Sequence, residues 1–237
     1  MGRISMTLLH KRAVRILLHR SSGIAIAAVV SLALIGVGVS LPENARRAFI
    51  AEDGPVEDLA VIAYAVLFLA FLAISKRNRS FLVASATVVA LMAARELDLH
   101  KAFASGSIIK LRTYTSDTVP FGEKLIAGAF VIAVASFLIW YAVRYGPWLW
   151  RAARSGYSAA YSTLAGAILL ATAKILDAFA RTLRDVTGIE IHTGTALQLI
   201  EEVFETTAPL VFLWAILVGY WISPARHGSP DRSHLDG

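Results

Sequence analysis

The stretch EEVFETTAPLVFLWAILVGYW, residues 201–221, leads three carboxylates straight into an apolar run. From Leu210 onward it reads as lipid-buried helix, and counting back about 20 residues from Trp221, enough to cross a bilayer, reaches Glu202. Glu205 then sits about 4.5 Å inside the boundary by the rise of an α-helix. A carboxylate at that depth is costly unless it is paired, protonated, hydrated or bound to a cation. The rest of the chain is therefore read for what meets it.

Composition sets the class. The chain has 237 residues, 57% of them hydrophobic, and a mean hydropathy of +0.62, outside the range of soluble globular domains. Apolar runs of near-spanning length recur, which predicts an all-α polytopic membrane protein with six transmembrane helices. There is no cysteine, which removes disulfides, thiolate metal sites and a Cys nucleophile. The net charge of +6 records membrane topology rather than nucleic-acid binding. The expected partners are membrane lipids, and no nucleic acid.

Working outward from the last span, at residues 197–222, the others fall at about 159–179, 123–143, 81–97, 56–75 and 23–41. Thr195 and Gln198 form a capping-box pattern that opens the last span, and Pro120 signals the start of the fourth. The first apolar run exceeds the 7–15 residues, roughly, of a signal-peptide core, so it reads as a retained anchor. Before it, residues 1–21 form a basic amphipathic segment suited to an anionic leaflet. The division is 1–21 cytoplasmic segment, 22–222 six-helix domain and 223–237 polar tail.

Charge orients the helices. With the N-terminus inside, residues 1–21, 76–79, 144–154 and 223–237 hold 13 of the 23 basic residues. Of the 17 acidic residues they hold only Asp231 and Asp236. Positive charge marks the cytoplasmic side, so both termini are cytoplasmic. Trp148, Trp150, Tyr157 and Tyr161 supply an interfacial aromatic belt. The alanine and arginine bias without cysteine points to a bacterial inner membrane.

The other carboxylates gather at the opposite end. Glu96 and Arg95 lie within the third span and Glu205 within the sixth, where ionisable groups are functional by default. Glu96, His100 and Glu205 are the candidate catalytic acid/base groups. Arg95 is the candidate holder of a phosphate or carboxylate, with Glu57 and Asp53, four apart on one helix face, also assigned to substrate binding. A divalent metal ion would draw its ligands from Glu96, His100, His192, Glu201 and Glu205. Neither HExxH nor Glu-x-x-His occurs, the last span lacks HxxxH, and Thr206 stands at the arginine position of an EExxxR pattern. Lys174, Asp177 and Arg181, at i+3 and i+4, read as a self-satisfying surface ladder. An Arg95 pair with Glu96 or Glu205 that locks helices together is the structural alternative. The connection 102–121 mixes polar and apolar residues and reads as an interfacial lid.

The resulting expectation is a membrane-embedded hydrolase or transferase acting on a lipid or lipid-linked substrate at the extracytoplasmic side, with or without metal. The alternatives are a proton- or cation-coupled carrier and a non-catalytic subunit or assembly factor. A carrier calls for intramembrane polar residues leading towards the cytoplasm, and charge counting finds almost none.

Overall fold

The computed structural model describes residues 19, 21–51, 54–74, 79–97, 99, 111–187 and 196–222, of which 79, 111, 112, 181, 183–187 and 220–222 are described by backbone alone. All regular structure among them is helical. In chain order the helices are α1 (Ser22–Ser40), α2 (Glu43–Phe49), α3 (Pro55–Ile74), α4 (Arg79–Glu96), α5 (Leu111–Thr115), α6 (Phe121–Arg154), α7 (Ser158–Thr187) and α8 (Ala196–Ile216). α8 runs on as a π-helical turn, Leu217–Ile222. Most of the expected lid, together with Asp53, Asp98, His100, His192 and Thr195, lies outside the described residues.

Five of these helices are long and apolar enough to cross a membrane: α1, α3, α6, α7 and α8. α4 occupies the place expected for the third span. Its 18 residues include Arg79, Arg95 and Glu96, whereas each of the other five holds an apolar stretch of that length with at most two charges. α6 overshoots the expected end at Val143 by three turns, running through Pro147 to Arg154. A proline inside a helix removes one backbone donor, here the partner of the Val143 carbonyl. The helix stops at Gly156, whose φ of 84° permits a Schellman ending. Gly156 N–H donates to the Ala153 carbonyl at 2.8 Å and Tyr157 N–H to the Ala152 carbonyl at 3.0 Å.

The chain divides into two compact units, one of residues 51–151 and one of residues 1–50 with 152–237. In the first, α3 packs on α4. The buried residues Val56, Ala60, Ala63, Tyr64 and Leu67 recur at helical spacing down one side of α3. α4 meets α6 through Phe81, edge-on to Tyr145 at 5.0 Å between ring centres, and through Ser85 Oγ and Tyr141 Oη, 2.9 Å apart. The pairing runs 81 to 145 and 85 to 141, so the two helices are antiparallel.

The second unit is a seam of α1, α7 and α8. At one end Trp214 Nε1 donates to Ser22 Oγ at 3.1 Å, and Ser22 and Ser158 hydroxyls lie 3.1 Å apart. In the middle Ser31 Oγ donates to Thr207 Oγ1 at 3.2 Å, a buried bond. α8 therefore runs antiparallel to both partners. Small residues allow the close approach that membrane helix packing needs. A Cβ on Gly166 would meet the Phe212 ring at 2.5 Å, and one on Gly23 would collide with Ser162.

Candidate functional site

Along α8 the chain passes from half-buried Glu201 and Glu202 to buried Glu205, Thr206 and Thr207. Glu205 is 5% exposed. α1 serves as a ruler for its depth. Thr207 faces Ser31, the middle residue of α1, and Glu205 lies two residues towards the acidic end. That puts it about 10 Å short of the Ser40 end of α1 by helical rise. Counted back from Trp221, the sequence places Glu205 about a turn inside the membrane boundary.

The partner of Glu205 is Lys174 of α7, whose ammonium forms an ion pair with the Glu205 carboxylate. The two ends of the pair differ in exposure: the Lys174 side chain is 40% exposed and that of Glu205 7%. This corrects the expectation that Lys174 belongs to a ladder along its own helix: it reaches across to α8. The available signal was an ammonium inside the apolar window of Ser158–Ala180, which asks for a counter-charge wherever it lies.

Backbone chemistry adds a second feature at the same residue. Pro209, inside α8, has no N–H to donate to the carbonyl four residues back, which is that of Glu205. The ionisable side chain and the interrupted helix bond therefore coincide. Beyond Glu205, away from the acidic end, Thr206 (1% exposed), Thr207 and Ser31 are buried hydroxyls, and Ser162 and Ser158 are buried nearer the Ser22 end. Charge counting overlooked this series because Ser and Thr carry no charge.

The remaining candidates fall in the other unit or outside the described residues. Arg95 Nη1 donates to Glu96 Oε1 at 3.1 Å at the end of α4, with the Arg95 side chain 43% exposed and that of Glu96 11%. Of the two alternatives weighed for Arg95, this is the intrahelical one. Glu57 is half-buried in the first turn of α3. Among the described residues no group of three or more His, Asp or Glu side chains is placed to hold a metal ion, and the two histidines proposed as ligands are not among them. The structure brings together Lys174 with Glu205, and Arg95 with Glu96. Comparison with known proteins finds no matching family model, curated relative or solved structure.

Proposed function

We propose that this protein is a six-span enzyme of the bacterial inner membrane, with both termini cytoplasmic, that acts on a lipid or lipid-linked substrate from the extracytoplasmic side. The observation that carries the reading is the buried Glu205 carboxylate, held by a half-exposed lysine of the neighbouring helix α7 at the acidic end of a three-helix seam. Glu205 acts as the general acid/base. An anionic headgroup that engages the exposed side of Lys174 draws the ammonium away and leaves the carboxylate to accept a proton from the attacking hydroxyl or water. The same proton passes to the leaving group. In the other unit, Arg95, a planar fork suited to phosphate or carboxylate, with Glu96, Glu57, Asp53 and His100, stands as a separate candidate group for an anionic substrate. Lipid analysis of a deletion strain complemented with wild type or Glu205→Gln tests the reading: the altered species should persist with the variant.

A second reading, a proton- or cation-coupled carrier, is favoured by the buried hydroxyls of Thr206, Thr207 and Ser31 beyond Glu205. They supply the inward polar series that such a carrier requires. Glu205-dependent proton uptake by proteoliposomes, with no change in lipid composition, would favour the carrier.

A further inference from the structure

α6 carries a second chemically distinct feature, remote in sequence from Glu205. Ser136, Ile139, Trp140, Val143 and Arg144 lie side by side on the outer surface of this helix, all of them exposed. They stand at i, i+3, i+4, i+7 and i+8, so they form one stripe along a single helix face. The stripe is polar at both ends and apolar between: Ser136 at one end, Arg144 at the other, with Ile139 65% and Val143 70% exposed in the middle. Trp140 stands in the stripe itself, 49% exposed, and is held by ring neighbours on its own helix. Its ring packs on Phe137 at 5.8 Å and edge-on to Tyr145 at 5.9 Å. Arg144 is placed as well, its guanidinium carbon 6.0 Å from the centre of the Tyr145 ring.

Charge selects the occupant. Between residues 124 and 176 there is no Asp or Glu, while Arg144, Arg151 and Arg154 follow one another towards the C-terminal end of α6. A guanidinium is a bidentate partner for phosphate, and tryptophan and arginine are the side chains that sit at headgroup level. An apolar trough of branched side chains leading away from that cation matches an acyl chain below a phosphate. We propose that this stripe is a binding site for one anionic phospholipid in the leaflet at the C-terminal end of α6. The phosphate lies on Arg144 and the upper acyl chain along Ile139, Val143 and the face of Trp140.

The site is tested with the purified full chain in phosphatidylcholine vesicles containing one-fifth brominated lipid, either phosphatidylglycerol or phosphatidylcholine. Bromine on the acyl chain quenches nearby tryptophan emission. Brominated phosphatidylglycerol should quench at least twofold more than brominated phosphatidylcholine. Trp140→Phe, which keeps an aromatic ring in the cluster, should remove that excess, and Arg144→Gln should cut it by half or more. Arg151→Gln should leave it unchanged. Equal quenching by the two lipids, or an excess that survives Trp140→Phe or Arg144→Gln, would overturn the assignment.

Discussion

Lys174 of α7 and Glu205 of α8 form an ion pair whose two ends are unequally exposed: the carboxylate is enclosed, whereas the lysine side chain keeps two-fifths of its surface. The inequality predicts an asymmetric response. Lys174→Met strands an enclosed carboxylate, at a cost of about 3–5 kcal/mol for breaking a buried pair. Glu205→Gln strands an ammonium whose flexible stem can carry it towards the membrane boundary, at a smaller cost than the stranded carboxylate. The double variant Lys174→Met/Glu205→Met should recover most of the stability lost by Lys174→Met. Thermal unfolding of the purified proteins in one detergent measures all three.

Gly166 is where α7 meets the Phe212 ring of α8. Gly166→Leu should destabilise by about 1–3 kcal/mol, the usual penalty for overpacking a tight interface. Adding Phe212→Ala should return part of that loss, because it removes the ring that the new side chain strikes. Gly146, whose Cβ position is open, supplies the control: Gly146→Ala should leave stability unchanged or slightly raised.

Orientation follows from the segregation of basic residues. Reporter fusions after Ser75 and Ser155 should report cytoplasm, and fusions after Gly54, Ser116 and Gly188 should report the opposite side. The fusion pair at Ser75 and Ser116 bears directly on α4. If α4 spans despite its three charges, the two reporters fall on opposite sides, and if it does not, they fall on the same side.

The metal-dependent version of the enzyme makes its own prediction. Protein purified without added chelator should hold close to one divalent ion per chain, lost on His100→Ala and on Glu205→Gln. Elemental analysis of the three proteins decides it, and an ion content near zero in folded wild type would confine the chemistry to the Lys–Glu and Arg–Glu groups.

The apolar runs made the spans legible, since a stretch of about 20 apolar residues has few other uses. Ends set by local chemistry were less so. The fourth span is expected to end near Val143, yet α6 continues through Pro147, and the stop comes at Gly156, where the backbone turns left-handed. Glu205 was legible as the anomalous residue, because its type conflicts with its surroundings. Its partner was not, because Lys174 has a ready i+3 neighbour in Asp177 and a one-dimensional pattern cannot rank that against a carboxylate on another helix. The buried hydroxyls of Ser31 and Thr207 were hidden for a similar reason: each is unremarked alone and gains meaning only once α1 and α8 are packed side by side.

Glu205 is proposed to work rather than merely pack. This is tested most directly by measuring complementation of a deletion strain beside thermal stability for Glu205→Gln and for Lys174→Met/Glu205→Met. Both variants should fold and be more stable than Lys174→Met, and neither should restore function. A double variant that is stable and fully complementing would contradict the proposal and reduce the pair to a helix-locking contact.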